Sequence, residues 1–250
     1  PNPEAVLYVT LEPCSTHSRT PPCVQSIVDS GIRRVVVGTP DPNPAHAGRG
    51  VDLLRNAGIE VMEASGEIAE DCADLNLIFN HGIFESTPFI ALKLAVTSDE
   101  KLAEKPGVPS EITGSGAKMD VMSWRRYFPA IAVGAGTVLA DDPRLTARLP
   151  EGEWCPRRII LDGRLSTVSD AEELPMVYTD SFREKTLVVT GSKNPNMLTR
   201  LARLENAGVS VRELPLDESG SFRLTDLRSI LTDEDLGGVF FEGGAKVARR

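Results

Sequence analysis

The sequence has few cysteines, few aromatic residues, no long apolar run and no excess of positive charge. Its 250 residues include four cysteines, and 27 Lys+Arg against 36 Asp+Glu give a net charge of −9. Cysteines this sparse do not form a disulfide scaffold. No apolar run approaches the roughly 18–20 residues that span a bilayer, and an acidic chain lacks the basic face that nucleic-acid binding requires. We therefore expect a cytoplasmic protein that binds neither nucleic acid nor membrane.

Short apolar strands alternate with helical patterns along the whole chain. The 3–4 spacing of apolar residues in Ile68–Phe79 predicts one helix, and Ser115 is expected to cap another that runs to about Tyr127. Alternation of this kind predicts an α/β protein with parallel strands.

A turn marked by proline, Glu85-Ser86-Thr87-Pro88, interrupts the alternation, and a new series of strands begins after it. This interruption predicts two domains, residues 1–87 and 88–250. An ordinary loop within a single domain is the alternative explanation.

Two of the cysteines occupy positions suited to a metal ion. Cys14 follows a predicted strand, and Cys23 opens the next predicted helix, where the helix dipole favours the thiolate. Zinc nucleobase deaminases use a His-x-Glu pair followed by Pro-Cys-x-x-Cys, whereas eight residues separate the two cysteines here. Taken alone, such a pair is more often two unlinked core cysteines than a zinc site.

Glycines follow two predicted strands in the second half of the chain. Gly134-Ala135-Gly136 precedes Thr137, and Gly243-Gly244 follows the last strand. Backbone N–H groups at the start of a helix lack intrahelical partners and can bind a phosphate. Both glycine segments follow strands, so the two strand ends could bind one pyrophosphate. Tight turns are the alternative explanation for both glycine pairs.

Three charged residues are candidates for contact with a ligand. Arg125 and Arg148 offer the planar fork of donors that binds a phosphate, although a solvated helix face and a loop charge explain them equally simply. Glu242 ends an apolar strand, where burial of a carboxylate is costly unless it binds something.

Several segments resemble the bacterial bifunctional riboflavin-biosynthesis deaminase/reductase family. In the first half they are Leu7–Cys14, His17, Arg19–Cys23, Asp41–Pro44 and Ala47–Gly50. In the second half they are Phe89–Ala95, Ile112-Thr113, Gly136–Arg148, Ile159–Gly163 and Phe241–Gly244. The resemblance implies a cytidine-deaminase-like three-layer domain followed by a dihydrofolate-reductase-like domain.

The resemblance also implies cofactors and site residues. It makes Cys14 and Cys23 ligands of Zn²⁺. It assigns NADPH to Ala95, Thr137, Asp141, Gly163, Gly244, Ala245 and Lys246. It assigns a phosphorylated pyrimidine substrate to Arg125, Leu145, Arg148 and Glu242.

The implied activity has two steps. A zinc-dependent hydrolysis removes an amino group from a diaminopyrimidine ribosylamine 5′-phosphate, and an NADPH-dependent reduction then converts the ribosyl chain to ribityl. The resemblance further implies a homodimer formed through the reductase half. The alternatives are a nucleoside or tRNA-type zinc deaminase with an unrelated appendage, and a degenerate, non-catalytic homologue that binds a pyrimidine phosphate.

The sequence departs from the family pattern at several places. No His-x-Glu precedes Cys14, so the third zinc ligand and the proton-shuttling glutamate have no counterpart, and no catalytic residue is assigned. We accordingly expect a chain that lacks both ends of the family's enzyme. Glu100, Pro109 and Glu111 stand where the family has a glycine, a serine and an aromatic residue, which bears on the affinity for the cofactor.

Overall fold

The computed structural model describes residues 4–17, 20–99, 101, 112–192 and 194–243. The chain forms two compact units, Pro1–Thr87 and Pro88–Arg250. In the described part of the chain, no helix is both long enough and apolar enough to cross a membrane.

The first unit is built on a parallel sheet of three strands in the order β1-β2-β3. Its elements are β1 (Val6–Leu11), α1 (Cys23–Ser30), β2 (Arg34–Thr39), α2 (Arg49–Asn56), β3 (Glu60–Glu63), α3 (Glu67–Leu75) and α4 (Leu77–Glu85). Val35 and Val37 of β2 share a core with residues of α1 and α2. Gly38 points to the opposite face because side chains alternate along a strand, and there it lies against Cys72 of α3. Helices therefore cover both faces of this sheet.

The single helix predicted over Ile68–Phe79 is wrong, because the chain breaks into α3 and α4 at Asn76. The Asn76 side chain donates from Nδ2 to the carbonyl oxygen of Cys72 at 2.7 Å. Asparagine competes in this way for backbone groups and so ends a helix. Ile68 and Phe79, two of the apolar residues that suggested the helix, are exposed.

The second unit contains a parallel sheet of six strands and a separate antiparallel hairpin, β6–β7. Three short 3₁₀ segments lie at Met176–Tyr178, Arg183–Lys185 and Pro195–Met197. The other elements are β4 (Phe89–Lys93), α5 (Ser115–Tyr127), β5 (Ala130–Gly134), α6 (Ala135–Asp141), β6 (Ala147–Leu149), β7 (Gly152–Trp154), β8 (Arg157–Leu161), β9 (Thr186–Thr190), α7 (Leu198–Asn206), β10 (Ser210–Glu213), α8 (Leu224–Asp233) and β11 (Gly238–Glu242).

The strand order in this sheet is β10-β9-β8-β5-β11-β4. The chain moves in one direction from β4 to β10 and then returns to place β11 between β5 and β4. All neighbouring strands of the sheet are parallel, which confirms the predicted α/β class. Their carboxyl ends therefore lie along one edge.

The two faces of this sheet bury different apolar sets. Ile131 and Val133 of β5 pack with α6 and α7, whereas Ala130 and Ala132 pack with α8 on the other face. This alternation follows from the period of two along a strand. Ser115 begins α5 as its first helical residue, so the prediction that it caps the helix is wrong. Gly114 occupies the cap position, and as a glycine it has no side chain to bond the first N–H groups of the helix.

Candidate functional site

Three of the seven residues predicted to bind NADPH lie just after strands whose carboxyl ends share one edge of the six-stranded sheet. Ala95 comes two residues after β4, and Gly163 comes two residues after β8. Thr137 lies in the first turn of α6, which starts directly where β5 ends. Ligands of open α/β sheets bind at this edge. Asp141 is the last residue of α6 and lies one helical turn beyond Thr137, on the same face of the helix.

Arg125 and Glu242 form an ion pair between α5 and the carboxyl end of β11. The Nε–Oε1 distance is 2.6 Å and the Nη2–Oε2 distance is 2.7 Å, with both side chains little exposed. Arg125 also donates from Nη1 to the carbonyl oxygen of Thr146 at 3.0 Å. The structure thus brings together two residues predicted to bind the substrate, but each serves as the other's partner.

Aromatic stacking holds α5 in position for this pair. Phe128, which directly follows α5, and Trp124 of α5 stack on Phe240 of β11, with ring centroids 5.3 and 6.4 Å apart respectively. Phe128 also stacks on Phe89 of β4 at 6.0 Å. Because Phe240 and Glu242 belong to one strand, these contacts fix the distance between Arg125 and its carboxylate partner.

Leu145 has a backbone conformation that bulky residues seldom adopt. Its φ is 55°, in the left-handed region, and its side chain is buried. The carbonyl oxygens on either side accept hydrogen bonds from guanidinium groups: Arg158 donates to Arg144 at 3.0 Å, and Arg125 donates to Thr146. Two buried arginines therefore hold the predicted substrate-contacting turn in a fixed shape.

Arg158 is fully buried in β8 and uses all five of its N–H donors. It makes a two-point ion pair with Asp180, with N–O distances of 2.7 and 2.9 Å. Its other donors reach Thr186 Oγ1 and the carbonyl oxygens of Val177 and Arg144. This residue was missed in the sequence, because an arginine in a strand pattern gives no sign of what it contacts.

Arg148 lies on the β6–β7 hairpin, which was also missed because its strands are only three residues long. The Arg148 guanidinium donates from Nη1 to Thr146 Oγ1 at 3.0 Å. Thr146 Oγ1 in turn donates to Glu153 Oε1 at 2.7 Å. The outer oxygen of Glu153, Oε2, accepts from Arg144 at 2.8 Å. The hairpin thus presents an exposed arginine that is anchored to a buried hydroxyl.

The turn that contains Gly163 is organised by the buried carboxylate of Asp162. Oδ2 accepts from the backbone N and the Oγ1 of Thr167 at 2.7 and 2.8 Å, and Oδ1 accepts from Ser166. Thr167 Oγ1 also lies 2.8 Å from the hydroxyl of Tyr178. Burial raises the pKa of Tyr178, and its bond to Thr167 opposes this effect only in part.

Cys14 and Cys23 lie side by side at the surface of the first unit. The backbone N–H of Cys23 donates to Cys14 Sγ at 3.2 Å. A hydrogen bond between the two thiols raises the pKa of Cys23. This arrangement provides two of the three protein ligands that a catalytic zinc site needs. Over the described part of the chain, no third His, Cys, Asp or Glu completes a metal-binding group.

Glu12, two residues before Cys14, binds the segment that follows β2. Its carboxylate accepts backbone hydrogen bonds from Asp41, Gly48 and Gly50 at 2.8–3.0 Å, and from Val51 at 3.3 Å. Burial alone raises the pKa of Glu12, but the four N–H donors outweigh it and hold the pKa below its ordinary value.

Gly50 is required beside Glu12, because a Cβ at this position would lie 2.1 Å from the carbonyl oxygen of Pro13. This close approach joins the Ala47–Gly50 segment to the backbone that carries Cys14. Sequence reasoning missed this contact, because 38 positions separate Glu12 from Gly50 and residue type alone does not show that the carboxylate is buried.

Six residues named in the sequence analysis lie outside the described residues, and their predicted roles stay predictions. Three are predicted NADPH contacts, Gly244, Ala245 and Lys246. Three are departures from the family pattern, Glu100, Pro109 and Glu111.

A model of the RibD C-terminal domain family matches residues 88–250. The chain belongs to this family. The RibD match covers the second unit, in which the six-stranded sheet, the Arg125–Glu242 pair and the turn at Leu145 all lie.

Relatives of the RibD family align over most of the chain. The riboflavin biosynthesis protein RibD of Bacillus amyloliquefaciens is 38% identical over 243 residues, which is 97% of this chain and 62% of the relative. That of Aquifex aeolicus is 39% identical over 242 residues, 97% of this chain and 64% of the relative. The chain thus spans somewhat less than two thirds of the length of these relatives.

Solved structures agree with this alignment. RibD of Acinetobacter baumannii superposes with a TM-score of 0.70 at 34% identity, covering 96% of this chain and 63% of that one. A diaminohydroxyphosphoribosylaminopyrimidine deaminase/5-amino-6-(5-phosphoribosylamino)uracil reductase of Thermotoga maritima gives a TM-score of 0.69 at 36% identity, covering 97% of this chain and 62% of that one.

Proposed function

We propose that residues 88–250 are a reductase of riboflavin biosynthesis, which reduces the ribosyl chain of a 5′-phosphorylated ribosylaminopyrimidine to ribityl with NADPH. The observation that carries this proposal is the match of the whole second unit to the RibD C-terminal domain. The relatives named riboflavin biosynthesis protein and the Thermotoga reductase support the same substrate class.

The residues at the carboxyl edge of the sheet fit a dinucleotide. Gly136 has open space around it: apart from its chain neighbours and the backbone of its own helix, no atom of the described residues lies within 4 Å of where a Cβ would stand. α6 begins beside it without a side-chain cap, so backbone N–H groups of its first turn are available to an anion. Ala95, Thr137, Asp141 and Gly163 would hold NADPH, which supplies the hydride when bound.

The chain's own residues position the substrate. Leu145 is held in a fixed turn beside the Arg125–Glu242 pair, and Arg148 is exposed nearby on the hairpin. The Arg125 guanidinium binds a carboxylate and a carbonyl oxygen, whereas that of Arg148 donates to the hydroxyl of Thr146. We therefore assign the substrate phosphate to Arg148, and to Arg125 the task of fixing the turn.

The test measures NADPH oxidation and the mass of the product with 5-amino-6-(5-phosphoribosylamino)uracil as substrate. Wild-type protein should oxidise NADPH only when this substrate is present and should give a product heavier by two hydrogens. Arg148→Ala should raise KM about tenfold, the loss of one charge-assisted bond. Arg223→Ala, which removes an exposed arginine directly before α8, is the matched control and should leave KM unchanged. Binding of neither NADPH nor substrate to the wild-type chain would contradict the proposal.

For residues 1–87 we propose a zinc deaminase domain that acts on the diaminopyrimidine precursor. The support is the adjacency of Cys14 and Cys23 and an alignment with RibD relatives that is longer than residues 88–250 alone. Both thiols would bind Zn²⁺, which activates a water molecule when bound. Among the described residues no third ligand joins the two thiols. We therefore expect this chain to bind zinc weakly and to release no ammonia. Chelator-resistant, stoichiometric zinc would contradict that expectation.

The alternatives make different predictions in the same assays. An appendage unrelated to a reductase would not bind NADPH, and the family match over residues 88–250 counts against it. A degenerate homologue would bind the pyrimidine phosphate without oxidising NADPH.

A homodimer through the second unit is also part of the proposal, and light scattering at several protein concentrations tests it.

A further inference from the structure

Four arginines belong to, or contact, the segment from residue 144 to residue 148. Three are neutralised by carboxylates, in the pairs Arg125–Glu242, Arg144–Glu153 and Arg158–Asp180. Within the residues that the structure describes, Arg148 makes no ion pair. It is nevertheless oriented, because its Nη1 donates to Thr146 Oγ1.

The cross-strand register makes this absence unexpected. Arg148 of β6 stands directly opposite Glu153 of β7, and oppositely charged residues at such positions normally attract each other. Glu153 is instead turned toward Arg144 and the hydroxyl of Thr146. One hydroxyl therefore separates the Glu153 carboxylate from the Arg148 guanidinium.

The hydrogen bonds from Arg148 to Thr146 Oγ1 and on to Glu153 can run in only one direction. A threonine hydroxyl carries a single proton, and Thr146 gives it to Glu153 Oε1. Its lone pairs are then left for the N–H of Arg148. Thr146 is fully buried, so water does not replace either partner. Bonds arranged in series strengthen one another.

We propose that Glu153 is a positioning residue for the anion-binding arginine: through Thr146 Oγ1 it fixes the Arg148 guanidinium toward the substrate phosphate without neutralising it. This inference rests on the proposed function, since it takes the phosphate of that substrate as the ligand of Arg148. Glu153 itself touches neither substrate nor cofactor in this scheme.

The hydrogen-bond relay consists of Arg148, Thr146 and Glu153. The test measures KM and kcat of relay variants with the phosphorylated substrate and with the same compound lacking the phosphate. Glu153→Ala and Thr146→Val should each raise KM for the phosphorylated substrate about tenfold and change kcat less than twofold. Thr146→Ser, which keeps the hydroxyl, should restore the wild-type KM. With the compound lacking the phosphate, all variants should share one KM.

Two controls separate positioning from a purely structural role. Arg144→Gln removes the ion pair with Glu153 but keeps the relay, so KM should stay at its wild-type value. The double variant Glu153→Ala/Arg148→Ala should be no worse than Arg148→Ala alone, because both changes act through one guanidinium. Additive losses, or equal losses with and without the substrate phosphate, would overturn the inference.

The proposed function fails separately from this inference. If wild-type protein shows no preference for the phosphorylated compound, the proposed substrate is wrong. If the preference is present and Glu153→Ala keeps it in full, the substrate stands and the positioning role of Glu153 is rejected. Titration of the tryptophan fluorescence with each compound, which reports binding without turnover, provides a second readout for both cases.

Discussion

The guanidinium of Arg125 and the carboxylate of Glu242 meet in a two-point ion pair although 117 positions separate them in the sequence. The pair joins α5 to the carboxyl end of β11, and its third donor fixes the carbonyl oxygen of Thr146. Through this carbonyl oxygen the pair fixes the shape of the turn at Leu145. Substrate binding alone would not require such a contact.

Loss of either member of this pair should destabilise the second unit. Arg125→Met or Glu242→Gln leaves one little-exposed group without its partner, which costs about 3 kcal/mol. The double variant Arg125→Met/Glu242→Leu should recover most of that loss, since no unpaired charge remains. Urea unfolding measures the free energies, and a double variant less stable than both single variants would contradict the explanation.

Arg158 should matter more for stability than its neighbour Arg157. Arg158→Met removes the ion-pair partner of the little-exposed Asp180 carboxylate and leaves the carbonyl oxygen of Arg144 without its donor, so we expect a loss of about 3–5 kcal/mol. Arg157→Met breaks a more exposed pair with Glu234 and should cost about 1 kcal/mol. Thermal unfolding of the two variants provides the comparison, and equal losses would show that the buried network is not the cause.

Tyr178 should make the protein less stable at high pH. Burial raises the pKa of its hydroxyl in the folded state, whereas an unfolded tyrosine ionises near about pH 10. The stability that this difference provides is fully present below about pH 10 and is lost as the pH rises further. Tyr178→Phe should therefore flatten the decline of unfolding free energy above that pH. Tyr8→Phe, at an exposed position, should leave the decline unchanged.

The cysteines should differ in their reaction with iodoacetamide. Burial raises the pKa of the Cys155 thiol, and only the thiolate reacts, so Cys155 should be modified last. Cys14 and Cys23 are exposed and should be modified before Cys155, although the hydrogen bond with Cys14 raises the pKa of Cys23 and slows its reaction. If they bind Zn²⁺ together, added zinc should slow both reactions equally and leave Cys72 unaffected. Mass spectrometry of peptides gives the rates, and protection of only one of the pair would contradict a shared ion.

The sequence predicted strands and parallel pairing well, because alternating or continuous apolar runs such as those of β2 and β5 depend on local spacing. It did not predict the break at Asn76, where one side chain captures a backbone carbonyl. It also missed the β6–β7 hairpin, whose three-residue strands are too short to show a period. Local sequence patterns therefore predicted the main strands, but not the helix break at Asn76 or the β6–β7 hairpin.

The contacts of the candidate site were less predictable than its position. The carboxyl edge follows from parallel strands, and the order of elements placed the glycines before Thr137 there, whereas Gly163 was assigned by the family resemblance alone. The pairing of Arg125 with Glu242, and the relay from Arg148 to Glu153, depend on side chains brought together by distant parts of the chain. Residue type alone could not distinguish an arginine that binds a ligand from one that binds a carboxylate.

The insertion of β11 between β5 and β4 affects how the second unit is made. β4 pairs with β11 in the described sheet, so during synthesis it has no neighbouring strand until residues 88–242 have left the ribosome. Pairing between such distant segments is slow and leaves strand edges open to aggregation. Nascent chains that stop before Gly238 should therefore depend on chaperones, and the unit should acquire its native sheet only after translation has passed that strand.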